Sequence, residues 1–222
     1  MNKIIFCLAT LFLGTSILAN AQNNSIGKSD PEAKVILDKV SKKFKSYSSV
    51  QANFNLKVED AKGKVQGNKT GIVLMKGGKY KVAITGQEIY SDGTTIWTYD
   101  KAANEVTITK IDPTANTITP QKIFTNFYDK DFLYKLNGEK KEGAKVIQEI
   151  ELTPVDKSKP FHKVYVFVDK ASQNIVSTRI LEKNGNKYTY SINSFNTKAN
   201  VTDAQFVFNK AKYPGVEEVD LR

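Results

Sequence analysis

Cysteine occurs once, at Cys7, histidine once, at His162, and arginine twice, at Arg179 and Arg222. Each scarcity excludes something. Cys7 lies in an apolar run, Ile4 to Gly14, that follows Lys3 and precedes Ala19-Asn20-Ala21. That order is a secretory leader with a small-x-small cleavage site, so residues 1–21 are expected to be removed. Cleavage leaves a chain without cysteine: no disulfide, no cysteine zinc site and no lipid-bearing cysteine are expected. Beyond the leader no apolar run is long enough to span a bilayer. The exported chain, residues 22–222, is expected to be one soluble domain and a monomer in the periplasm.

A lone histidine cannot assemble a metal site or a nucleophile–base pair with itself, and there is no Gly-x-Ser-x-Gly elbow, phosphate loop or dinucleotide fingerprint. His162 reads as a surface residue. The acids Asp92, Asp100 and Asp169 fall in turns, where they cap backbone amides. The expectation is therefore no catalysis, no metal and no cofactor. The net charge of +10 is carried almost wholly by lysine. Lysine lacks the planar fork that grips phosphate, so with export nucleic acid is not an expected partner. The lysines read as a solvated surface that keeps strand edges apart, with some attraction to membrane surfaces.

What is present is alternation. Asp30-Pro31-Glu32 supplies a helix cap, a first-position proline and a first-turn acid, and Ile36, Val40, Phe44 and Tyr47 follow at helical spacing, predicting an amphipathic helix over 31–46. From Val50 the period becomes two: Val50, Ala52, Phe54, Leu56 and Val58 alternate with polar residues. Further strands are predicted over 70–75, from Tyr80 through Val82 to Ile84, over 94–99, 105–111, 132–136, 146–153, 161–168, 175–182 and 187–195, with a last one at Phe206-Val207-Phe208 and a tail from Val216. Asp92-Gly93 and Asn184-Gly185 are hairpin turns. The alternation breaks once, where Thr119-Pro120 opens a short helix bearing Ile123, Phe124, Phe127 and Tyr128 on one face. The fold class is mainly β with α: about 11 antiparallel strands in a curled, unclosed sheet whose mouth is covered or plugged by helices.

On these residues the chain resembles the outer-membrane lipoprotein carrier protein family, LolA. The resemblance rests on the leading helix running into Ser48-Ser49-Val50-Gln51-Ala52-Asn53-Phe54, on Gly63 and Gly71, on Ser91-Asp92-Gly93-Thr94-Thr95-Ile96-Trp97-Thr98-Tyr99, and on Asp203 to Phe208 followed by Tyr213-Pro214-Gly215-Val216. It implies a half-open barrel closed by helices. It also implies a carrier that collects acylated lipoproteins from an inner-membrane releasing transporter and delivers them to an outer-membrane acceptor. The family's Arg-Pro pair before the third-strand aromatic, tied to lid closure and transfer, is missing here. The stretch reads Met75-Lys76-Gly77-Gly78-Lys79-Tyr80, leaving Lys76 and Lys79 as the polar candidates for that role.

Acyl chains contribute about 0.8 kcal/mol per buried methylene, so a carrier needs a cavity whose own helices compete with cargo and permit release. The candidate contacts are Val40 and Phe44 on the leading helix, Tyr80 and Val82 on the third strand, Trp97 and Tyr99 on the fifth, and Ile123, Phe124 and Phe127 on the inserted helix. Each also fits a plain core role, and strand aromatics such as Trp97 and Tyr99 normally pack. The alternative function is an envelope lipid-binding sensor without transport, which would use the same cavity.

Overall fold

The computed structural model describes residues 28–112 and 128–222. The leader and most of the predicted inserted helix, including Ile123, Phe124 and Phe127, lie outside the described residues.

Helix α1 spans Pro31–Lys45, and the Asp30 carboxylate accepts from the Glu32 amide at 2.8 Å, as the sequence signals required. The strands are β1 (Val50–Glu59), β2 (Val65–Lys76), β3 (Lys79–Ile84), β4 (Gln87–Ser91), β5 (Thr95–Asp100), β6 (Glu105–Lys110), β7 (Phe132–Glu142), β8 (Lys145–Pro154), β9 (Phe161–Asp169), β10 (Ile175–Glu182), β11 (Lys187–Asn196) and β12 (Glu217–Asp220). One turn of helix, α2 (Tyr128–Asp131), leads into β7. The strands form one sheet in the order β12-β6-β5-β4-β3-β2-β1-β11-β10-β9-β8-β7, so β1 pairs with β11 and the two edges, β12 and β7, are not paired to each other.

Two expectations are corrected at the C-terminus. Phe206-Val207-Phe208 is not a strand: Asp203–Phe206 is a 3-10 turn, and Phe206 is fully buried against Leu74 and Val201. Gln205 makes that turn possible, since its side chain accepts from the Thr202 amide at 2.8 Å. The true last strand is β12 in the supposed tail, and it pairs parallel to β6, so the sheet is not wholly antiparallel. Its acid-rich sequence carries no strand pattern; the pairing is imposed by the turn at Tyr213-Pro214-Gly215, where Gly215 has φ +73°, and by the Glu217 amide donating to the Asn104 carbonyl at 3.0 Å.

Period-two alternation gives the sheet two unlike faces. The concave face carries Val50, Ala52, Phe54 and Leu56 of β1, Val73 and Met75 of β2, Tyr80 of β3, Ile150 and Leu152 of β8, and Val164, Val166 and Val168 of β9. Helix α1 adds Ala33, Leu37 and Val40 to this core. The helix is moored at both ends. The Asp30 amide donates to Tyr134 O at 2.9 Å and the Leu136 amide to the Asp30 carboxylate at 3.0 Å, while the Lys43 ammonium donates to Ser172 O. The convex face of β2 to β6 is covered by the segment from Ala199 to Val216.

Candidate functional site

The side chains available to an apolar ligand are those on the concave face that α1 does not cover. Along the concave side of β1, β3 and β10 exposure rises from one end of the sheet to the other, and the β11 side chains beside them are partly buried throughout. Val50, Ala52, Tyr80 and Ile175 are buried beneath or beside α1. Val58, Ile84, Ile180, Tyr188 and Tyr190, at the other end, are only partly buried against the same core. The register explains the grouping: Val58 lies opposite Tyr188 and Tyr188 opposite Ile180, while Val82 lies opposite Ile89, so each pair projects from the same face. Burial raises the Tyr190 pKa, which keeps its ring neutral in an apolar setting.

At the covered end α1 behaves as a plug. Val40 is buried and Phe44 half-buried, with Phe44 edge-on to Tyr47 at 6.4 Å and Tyr47 edge-on to Phe195 at 5.8 Å. The space between these residues, Ile175 and Asn174 amounts to only about 10 Å³. The Tyr128 hydroxyl donates to Asp38 at 2.7 Å, pinning the solvent side of the helix to α2.

The structure brings Val40, Phe44, Tyr80 and Val82 to one face. It does not bring Trp97 and Tyr99 there. Trp97 lies opposite Tyr90, and Tyr99 opposite Glu88, one residue out of phase with Ile89 and Ser91 on the concave side. Both aromatics therefore stand on the convex face, where Tyr99 packs on Phe208 and Tyr213 at 5.6 and 4.5 Å. Alternation alone did not say which face of β5 was which, and the aromatic residues drew the choice the wrong way. Lys76 and Lys79 also lie on the convex side. They bracket the β2–β3 turn and both grip Asp203, at 2.9 and 2.8 Å, holding the 3-10 turn to the convex face. Ile180, Tyr188 and Tyr190 belong to predicted strands and Ile89 to β4, a strand the sequence reading did not name; only cross-strand register shows that they extend the Tyr80–Val82–Ile84 face.

A polar knot sits under the convex covering. Glu88 receives the Tyr90 hydroxyl, the Tyr213 hydroxyl at 2.9 Å and the Lys101 ammonium at 2.7 Å. Burial would raise its pKa, but Lys101 and the two hydroxyls outweigh burial and hold the carboxyl at about 2. Tyr90 and Tyr213 also touch through their oxygens at 2.7 Å, so two hydroxyl protons are shared among three oxygen contacts. Nothing in this knot resembles a reactive site, because its acid is saturated with donors. The turn acids are likewise occupied: Asp92 accepts from the Thr94 and Thr95 amides, Asp100 from Ala102 and Ala103, and Asp169 from Ala171 and Ser172. His162 is exposed on β9. Among the described residues no group of three metal-ligating side chains converges.

An open sheet with an apolar concave face, plugged at one end by a helix and strapped on its convex side by the C-terminal segment, defines an unclosed half-barrel. A family model described as outer membrane lipoprotein carrier protein LolA matches residues 45–209, and the chain belongs to that family, which is one of carriers rather than catalysts. It is 32% identical over 114 residues to the outer-membrane lipoprotein carrier protein of Cupriavidus necator, spanning 49% of this chain and 52% of that protein. It is 30% identical over 115 residues to the protein of the same name from Francisella tularensis subsp. novicida, spanning 50% of this chain and 49% of that one. The match thus spans about half the length of these relatives. An uncharacterised conserved protein from Thermus thermophilus shares the fold, with a TM-score of 0.57 at 14% identity over 85% of this chain and 99% of that chain.

Proposed function

We propose that the protein is a periplasmic carrier that shields the acyl chains of lipoproteins on the concave face of its sheet and carries them between inner and outer membrane. The observation that supports this most is the graded exposure of that face. One end is sealed by α1, while Val58, Ile84, Ile89, Ile180, Tyr188 and Tyr190 at the other keep apolar surface within reach of solvent. A surface of this kind binds hydrocarbon through area alone, without directional groups, and so suits chains of varied length. Cargo reaching deeper competes with Val40 and Phe44 for the same surface, which moderates affinity and favours release. An inner-membrane releasing transporter and an outer-membrane acceptor are the partners this reading requires, and the working form is a monomer.

Native mass spectrometry of the chain isolated from its own periplasm tests the proposal. Co-purifying acylated lipoprotein, lost on Ile84→Asp with Tyr190→Ser but retained on Trp97→Phe, is the expected result. A chain that arrives empty and ignores added acylated lipoprotein would overturn it in favour of a sensor or scaffold.

A further inference from the structure

Three turns meet at the half-exposed end of the concave face. The turn after β1, residues 60–64, touches the β10–β11 turn so closely that a Cβ placed on Gly185 would stand 2.5 Å from the Ala61 Cβ. The Lys183 amide donates to Pro160 O at 2.8 Å and its ammonium to Lys157 O, which joins the β8–β9 loop to the same group. Together these turns carry Lys62, Lys64, Lys157, Lys159, Lys183 and Lys187, and none of the six forms an ion pair among the described residues. The acids beside them are engaged by the turns themselves: Asp60 by the Lys62 and Lys64 amides and Gln66, Asp156 by the Ser158 amide, Glu182 by Asn184. Val65 and Val155 project among the lysines, 46% and 52% exposed. Lys159 is 8% exposed, with its ammonium 5.2 and 5.9 Å from the Phe132 and Phe161 rings.

We propose that this end of the molecule docks onto an anionic lipid bilayer, presenting the open end of the concave face to the headgroup layer so that an acyl ligand passes along the sheet rather than through water. The inference rests on the carrier reading for its purpose, and on the turns for its physics. Lysines that protect strand edges belong on edge strands; these stand on turns between paired strands, where there is no edge to guard. The exposed lysines Lys62, Lys64, Lys157 and Lys183, around the exposed Val65 and Val155, match an interface whose charge is diffuse and whose surface yields to a valine. The six lysines outnumber the acids beside them, Glu59, Asp60, Asp156 and Glu182, and that excess leaves the field outside positive. Val58, Tyr188 and Ile180 follow immediately inside the rim, so docking and the concave face are continuous.

Co-sedimentation of the exported chain with vesicles of phosphatidylglycerol and phosphatidylethanolamine, against phosphatidylcholine alone, tests the docking. Binding to the anionic vesicles alone, weakening as salt is raised, is expected. Lys62→Glu with Lys64→Glu is expected to weaken it at least about twentyfold, at roughly fivefold per lysine near such a surface. Lys39→Glu with Lys42→Glu on α1, the same charge change elsewhere, is expected to cost far less. A polarity-sensitive fluorophore on Val155→Cys, the sole thiol once the leader is gone, is expected to shift to the blue on anionic vesicles. Equal loss from both lysine pairs, an unshifted fluorophore, or no vesicle binding at low salt, as an acidic protein partner would give, each overturns the proposal. Affinity for a fluorescent acyl probe, measured without vesicles, separates the two readings: a chain that binds probe and ignores vesicles keeps the carrier function and loses the docking, and the reverse result does the opposite.

Discussion

The ring of Phe54 lies across Gly71 on the neighbouring strand, so close that a Cβ at residue 71 would stand 2.5 Å from the Phe54 Cζ. The two residues are register partners on the concave face, and the absent side chain of one is the seat of the other. Such a Cβ would also stand 2.9 Å from Ala83 O, which cannot rotate away. Gly71→Ala is therefore expected to destabilise the fold by about 1–3 kcal/mol through overpacking. Adding Phe54→Leu is expected to return only part of the loss, since the clash with backbone remains. Urea unfolding of the three variants checks this, and full recovery in the double variant would place the whole conflict in the ring.

The convex strap is held by two interactions of unequal weight. Phe206 is fully buried, and Phe206→Ala is expected to cost about 3–5 kcal/mol. Asp203, gripped by Lys76 and Lys79, is solvent-exposed, and water and salt screen such pairs. Asp203→Asn is expected to leave the unfolding midpoint nearly unchanged. Comparable losses in the two variants would show the ion pairs to hold the strap as strongly as the ring.

Glu88 makes stability depend on acid. Its folded pKa of about 2 lies below the ordinary value of 4.5, so its contribution is present in full above about pH 5 and is lost as pH falls from there towards 2. Glu88→Gln removes the titration. The variant is expected to be less stable than the parent near neutrality, with the gap narrowing on acidification. Unfolding midpoints measured at neutral pH and near pH 3 provide the comparison, and a gap that widens with acid contradicts the assignment.

Trp97 is the one tryptophan in the chain and belongs to the convex cluster with Tyr90, Phe208 and Tyr213. Its emission is expected to respond to Phe208→Ala, which loosens the strap, and to stay constant when an acylated ligand fills the concave face. A large spectral change on ligand binding alone would mean that the two faces are coupled through β5.

Much of the scaffold was legible in the residues. Asp30-Pro31-Glu32 began α1 where expected, Asp92-Gly93 and Asn184-Gly185 turned their hairpins, and Val50 to Val58 alternated into the core. These signals are local: a cap, a turn residue that accepts positive φ, and a period of two each act within a few residues of chain. The site was less legible. Val40, Phe44, Tyr80 and Val82 share one face because each continues a pattern anchored to the core. Trp97 and Tyr99 were misplaced because strand alternation separates two faces without naming them, and the apolar cover of β5 comes from the distant Phe208, Tyr213 and Val216 on the convex side. Lys76 and Lys79 found their partner in Asp203, more than 120 residues away.

By itself, then, the sequence determined the leading helix, most of the strands and their turns, since these follow from neighbours in the chain. Tertiary structure alone decided that β1 joins β11, that an acidic tail becomes β12 on β6, and that Phe206 leaves strand geometry for a buried turn. It also decided which apolar face stays partly open. Those outcomes depend on which distant surfaces meet, and burial is a property of the pair rather than of either strand.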